Sequence, residues 1–188
     1  MIRFKFSEHK ATEAVSVLLL QKNSVDRNNY TKILKLLYLI DREALRKWGK
    51  PVTGDDLISM PNGTLLSKTY NLIKFHISDT GFWSKYISKK NGYIIELTEN
   101  PNIRYLSIAE LKLIETVVDQ YKNYSYSDMI TYTHSLPEWS DPRTNGLQVE
   151  NIDNEDVLKY LDYSIEDIKE IKSETENQNY VKSVLLGE

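Results

Sequence analysis

The stretch from Tyr30 to Trp48 constrains the fold more than any other, because its apolar residues recur at helical spacing over about five turns. At about 100° per residue, Ile33, Leu36, Leu37, Ile40, Ala44 and Trp48 form one broad arc, which Leu34, Tyr38 and Leu45 widen. A helix with so wide an apolar arc belongs at the centre of a core. Asn28 and Asn29 are candidates to cap its start, and Gly49, with Pro51 just beyond, ends it. Lys32, Lys35, Arg42 and Arg46 collect on the opposite side.

Other segments repeat the helical pattern with start signals of their own. Glu8 to Gln21 follows a Ser7 cap, and Ile108 to Lys122 follows a capping box in which Ser107 and Glu110 each satisfy a free backbone N–H. Ser125 and Asp128 offer the same spacing before a shorter helix to about Ser135, which Pro137 stops. Asp153 opens a helix with Val157, Leu158 and Leu161; Ser164 restarts one with Ile165, Ile168 and Ile171, and Ser173 to Asn179 reads as a frayed tail. In the middle of the chain, Pro51 to Met60 reads as an irregular or short extended connection, and a helix is expected from about Leu65 to His76, with Leu66, Tyr70, Ile73 and Ile77 on one face. Phe82 to Ile87 and Tyr93 to Leu97, rich in aromatic and β-branched residues and separated by Lys89-Lys90-Asn91-Gly92, predict a β-hairpin. The expected class is mainly α: a compact helical domain with a small antiparallel β-hairpin element in the middle.

A chain of 188 residues, 40% hydrophobic and 27% charged, can bury one sizeable core. The acidity is concentrated: Glu150 to Glu188 holds eleven acidic residues against four lysines, leaving 20 basic against 16 acidic before it. The division suggests a helical domain over 1–150 and an acidic helical extension over 151–188, packed on the domain or trailing from it. That extension could lie over a basic side of the body, meet a basic partner, or be a solvated face. With no cysteine, disulfides, thiolate metal sites and cysteine nucleophiles are excluded. The three histidines, His9, His76 and His134, have no metal-ligand spacing, and phosphate-binding glycine loops and nucleophile elbows are missing, so no metal and no cofactor is expected. No stretch reaches the roughly 20 apolar residues of a membrane helix, and Val15 to Leu20 lacks the flanks of a signal peptide, so a cytoplasmic protein is expected.

Asp41 interrupts the apolar arc between Leu37, Leu34 and Leu45, and a carboxylate there must be paired, hydrogen-bonded or protonated. A network role within the core competes with a catalytic one. His134, beside Thr133 and near Trp139, reads as a satisfied structural histidine or as half of an acid–base pair with Asp41. Lys85, Lys89 and Lys90, with Tyr86 and Tyr93, could form a nucleic-acid-binding wing, or could serve only to keep a hairpin edge from pairing.

The run KLLYLIDREALRKWGKPVTGDDLISMPNGTLLSKTY from Lys35 to Tyr70, followed by LSIAELKLIETVVDQYKNYSYSDMITYTHSLPEW from Leu106 to Trp139, resembles the Panacea domain family, which includes SocA-like antitoxins and many phage-associated proteins. The resemblance covers about residues 8 to 145 and implies a helical fold with a small β element. Its signature positions fall on Tyr38, Asp41, Arg42, Gly49, Pro51, Gly54, Asp55, Met60, Gly63, Tyr70, Thr133, His134 and Trp139, as structural or partner-binding residues with no catalytic set. Gly63-Thr64-Leu65 stands where the family usually has Gly-Pro-Val, which can preserve a helix start shifted by one residue. The resemblance implies an antitoxin, not an enzyme, that neutralises a toxin encoded nearby through direct protein binding. A proteolytic adaptor delivering the toxin to a protease, and a DNA-binding regulator using the 85–93 hairpin, are the alternatives, followed by a small hydrolase centred on Asp41 and His134.

Overall fold

The structure, a computed structural model, describes residues 1–75 and 81–186. Its elements in chain order are α1 (Glu8–Leu19), α2 (Tyr30–Trp48), β1 (Leu57–Met60), β2 (Gly63–Leu66), α3 (Ser67–Phe75), α4 (Phe82–Tyr86), α5 (Ile108–Tyr121), α6 (Tyr126–His134), a 3-10 turn (Pro142–Asn145), β3 (Glu150–Asn151), α7 (Asn154–Tyr160) and α8 (Ile165–Leu186). The class is mainly α with a small antiparallel sheet of order β2-β1-β3 among the described residues.

Helix α2 is the axis of the molecule, packed by α1, α3, α5, α6, α7 and β2. Its Ile33, Leu34, Leu36, Leu37, Leu39, Ile40 and Leu45 are all buried, each worth about 1.5–3 kcal/mol relative to exposure. Asn29 caps it by accepting from Thr31 N at 2.9 Å, and Gly49 closes it in the left-handed conformation. Because neighbours enclose α2 all round, Lys32, Lys35 and Arg42 are buried and not on a solvated face; Arg46 alone of the four stays largely outside. Lys32 donates to the carbonyl oxygens of Val25 (2.6 Å), Tyr124 (2.5 Å) and Lys122 (3.3 Å). The ammonium thus ties the loop before α2 to the carbonyls just past the end of α5. Trp48, at the edge of the apolar arc, is 37% exposed.

The predicted caps Ser7, Ser107 with Glu110, Ser125 with Asp128, and Asp153 all form. The middle of the chain differs from expectation. The hairpin is β1–β2, with Met60 opposite Gly63 across the Pro61-Asn62 turn, so the segment expected to be irregular or short and extended ends in a short strand, and the expected helix start is a second one. Helix α3 begins at Ser67, and the expected end of that helix, His76 with Ile77, lies outside the described residues. Phe82 to Ile87 is no strand. Trp83 and Ile87 are four residues apart and both buried, so helix α4, with Ile87 capping its end, carries them into the core, while Glu8 accepts from Trp83 N at 2.9 Å. Of the hairpin expected there, only isolated bridges remain, Ile87 to Leu97 and Asn91 to Ile94, around the Asn91-Gly92 turn.

β3 pairs Glu150 with Ser59 and Asn151 with Ile58. Beyond it, Val157, Leu158, Leu161 and Ile168 join the core. Ser173 to Asn179 is not frayed: α8 continues through it, because Ile168, Ile171 and Thr175 seat one face on the body and Asn179 Nδ2 donates to Arg3 O at 3.0 Å. The acidic segment makes one ion pair to the body among the described residues, Glu155 to the Met1 amino group at 2.5 Å. No helix among the described residues is long and apolar enough to cross a membrane.

Candidate functional site

Three polar networks leave α2 for the loops around it. On one side Asp41 accepts from Val52 N (3.0 Å), Thr53 N (2.9 Å) and the Thr53 hydroxyl. These bonds fold the Pro51–Asp56 loop back onto the helix. Burial pushes the Asp41 carboxyl up to about 7 against the pull of the Thr53 and Val52 donors, and nearby Asp55 adds to the rise. Asp55 in turn accepts from Lys68 N, Thr69 N and the Thr69 hydroxyl at 2.7–2.8 Å, capping α3 from a distance. Burial raises its carboxyl too, against those donors. Gly54 lies between them at φ +69°, where a Cβ would overlap the Lys5 carbonyl.

Lys35, Tyr38 and Arg42, at i, i+3 and i+7, share a second face of α2. Tyr38 OH donates to Glu138 Oε1 at 2.9 Å; Arg42 donates through Nε to Oε1 at 2.6 Å and through Nη2 to Oε2 at 3.3 Å. Burial and the neighbouring Glu138 carboxylate keep the Tyr38 phenol protonated well above its ordinary range. Burial works against the Arg42 guanidinium, yet its bonds to Glu138 hold it above its usual value.

The third network lies where β2 crosses α6. Lys35 Nζ donates to Thr64 O at 2.8 Å, and burial pushes this ammonium down to about 7. Gly63, at φ +94°, leaves space for it, since a Cβ there would sit 2.9 Å from Nζ and 3.2 Å from His134 Cδ2. The His134 ring stacks on Trp139 at 4.2 Å, and Trp139 Nε1 donates to Met60 O at 3.1 Å, pinning the β1–β2 turn. Burial, then Lys35, lowers the His134 pKa, and its Nε2 is buried without a partner among the described residues. Thr133 is fully buried and bonds back to Met129 O at 3.0 Å.

These positions place the expected residues plainly. Tyr38, Asp41 and Arg42 lie on α2, and Gly54, Asp55, Met60, Gly63, Thr133, His134 and Trp139 lie in the loops, the β1–β2 hairpin and the α6 region around it. Tyr70, on α3, packs beside Lys74, whose Nζ lies 5.7 Å from its ring centroid. Asp41 and His134 stand in separate networks, and no hydrogen bond joins them among the described residues, so the structure does not assemble them as an acid–base pair. Lys85 lies in the last turn of α4, with Nζ 5.1 Å from the Tyr86 ring, and Lys89 and Lys90 precede the Asn91-Gly92 turn, away from the three networks. No group of three or more His, Asp or Glu among the described residues could hold a metal ion. Sequence reasoning missed Lys35 and Glu138. The i, i+3, i+7 stripe of Lys35, Tyr38 and Arg42 across an apolar helix was the available signal.

Neutral Lys35 is favoured in the fold, so its stability contribution is full above the unfolded pKa near 10.5 and is lost as pH falls to about 7, then constant below. Relative to Lys35→Met, the wild type should therefore gain stability between pH 7 and 10, by at most about 1.4 kcal/mol per pH unit. Urea unfolding of both proteins across that range checks this; a constant difference between them contradicts it.

Among protein families, residues 33–140 match the one described as antitoxin SocA-like, Panacea domain. The chain belongs to this family. The Panacea region begins inside α2 and ends just after Trp139, so it takes in all three networks, the β1–β2 turn, α5 and α6, and stops before α7 and α8. The family's description is of an antitoxin. Comparison with curated proteins and with solved structures returned no match.

Proposed function

We propose that this Panacea protein is an antitoxin that works in the cytoplasm and neutralises a cognate toxin, encoded nearby, by binding it directly. The observation that carries the reading is the family match over residues 33–140. The geometry supports a frame more than a reaction centre: Asp41, Asp55, Glu138 and Thr133 direct their hydrogen bonds to groups of the chain itself. In this reading the signature residues hold α2, the β1–β2 turn and α6 in register, and surface residues meet the toxin. Residues 151–188 are an acidic extension anchored through Val157 and Leu158, whose exposed carboxylates steer a basic partner toward the body. The expected form is a heterocomplex burying about 1,200–2,000 Å².

Inducible expression of the protein encoded by the adjacent open reading frame tests this. Growth arrest relieved by co-expression of the Panacea protein, with the two co-purifying, is the expected result. A neighbour that is harmless, or whose toxicity co-expression leaves unchanged, contradicts it.

A further inference from the structure

A cleft of about 330 Å³ opens beside the Lys35 network, lined among others by Lys35, Tyr30, Tyr70, Lys74, Tyr93 and Gln148. Among the described residues no Asp or Glu lines it, whereas other clefts on the surface include Glu174, Asp56 or Asp128. Lys35 is 1% exposed, donates one bond, to Thr64 O, and has no carboxylate partner among the described residues. Burial without a counter-charge is what holds its ammonium down near 7. Lys74 Nζ lies 5.6 Å from the Tyr30 ring centroid, and Tyr93 stacks on Tyr30 at 5.6 Å. The Lys74 ammonium, a buried Lys35 amine that takes up its proton near pH 7 and three aromatic rings thus line one opening with no acid among the described residues to balance them, a combination suited to an anion attached to an apolar body.

Exposed apolar residues next in sequence to the lining favour a macromolecule as the source of that anion. Phe75, next to Lys74, is 70% exposed; Ile94, next to Tyr93, and Leu147 and Val149, on either side of Gln148, are exposed as well. Large apolar side chains from three separate segments therefore stand in water within one residue of the lining. A small free anion would leave these exposed apolar side chains bare, whereas a protein segment crossing the cleft has them within reach.

We propose that the cleft receives a carboxylate side chain of the partner protein, carried on a segment whose apolar neighbours cover Phe75, Ile94 and Leu147. The inference rests on the antitoxin reading, with the toxin as that partner, and it names the chemistry of the contact: an acidic residue set among apolar ones. Lys74 and Tyr93 form its accessible side, and Lys35 supplies charge from beneath.

Two measurements test it. In the first, N-acetylphenylalanine, which couples a ring to a carboxylate, is titrated into the full chain with NMR detection of lysine side chains, beside its uncharged amide and adenosine monophosphate. The carboxylate is expected to shift the Lys35 and Lys74 signals with a dissociation constant on the order of 1 mM, and the amide to bind at least about tenfold more weakly. No shift at those lysines, equal binding of the amide, or tighter binding of the nucleotide overturns the proposal. In the second, Lys74→Glu and, separately, the exposed Tyr93→Ala are each expected to weaken toxin binding by about tenfold or more with an unchanged melting temperature. Wild-type neutralisation with both variants binding as tightly overturns the cleft proposal and leaves the antitoxin reading standing. A wild-type chain that binds no neighbouring protein overturns the antitoxin reading, and the partner named here with it.

Discussion

Replacing Arg42 with Ala should cost about 3–5 kcal/mol of unfolding free energy. The Glu138 side chain is fully enclosed and accepts from Arg42 Nε, Arg42 Nη2 and Tyr38 OH. Without the guanidinium, the carboxylate stays buried with a single neutral donor, the Tyr38 hydroxyl. The double replacement Arg42→Met with Glu138→Leu should recover at least half of that loss, because a buried ion pair is worth little more than apolar side chains of similar volume. Urea denaturation of the single and double variants measures both. A single variant within about 1 kcal/mol of wild type contradicts the account. The bond also carries a geometric burden, because Glu138 adjoins Trp139, whose indole holds Met60 O and with it the β1–β2 turn. Loss of Arg42 should therefore loosen the turn as well as the helix.

Gly63→Ala should be the second large effect, about 2–4 kcal/mol. The residue sits at φ +94°, where a side chain is strained, and the added Cβ would overlap Thr133 Oγ1 while crowding Lys35 Nζ and His134. Thr133 cannot retreat, because it is fully buried and bonded to Met129 O and Ile130 O inside α6. The ammonium of Lys35 must then move away from Thr64 O or the strand must shift. Gly92→Ala is the control: its φ is also positive, at +60°, but nothing lies within 4 Å of its Cβ, so only the backbone strain of about 1–2 kcal/mol applies. Equal losses at the two glycines would show that crowding at Gly63 plays no part.

What could be read from the sequence was local. The 3.6-residue period of α2 and the caps at Ser7, Asn29, Ser107 and Ser125 depend on residues within a few positions of each other, and they formed as expected. A short extended run was allowed where β1 lies, but β2 and β3 were not legible, because they have four and two residues, too few to show an alternation. The 82–97 hairpin was misplaced because aromatic residues suggest strands, while the burial of Trp83 and Ile87 four residues apart decided for a helix. That Asp41 needed partners followed from its place in the apolar arc; which partners did not. Glu138 lies 96 residues from Arg42, and Lys35 lies 29 from Thr64, so only the folded chain brings those pairs together. The cleft was invisible for the same reason, since its lining comes from α2, the β1–β2 turn, α3 and two loops.

Mixing the purified Panacea protein with the purified product of the neighbouring open reading frame, in the absence of any protease, tests the central claim most directly. The account predicts a stable complex in which the toxin's activity is lost once the antitoxin is present in stoichiometric amount. A toxin that stays active at saturating antitoxin, and is silenced only when a protease is added, would contradict direct neutralisation and make the protein a delivery adaptor.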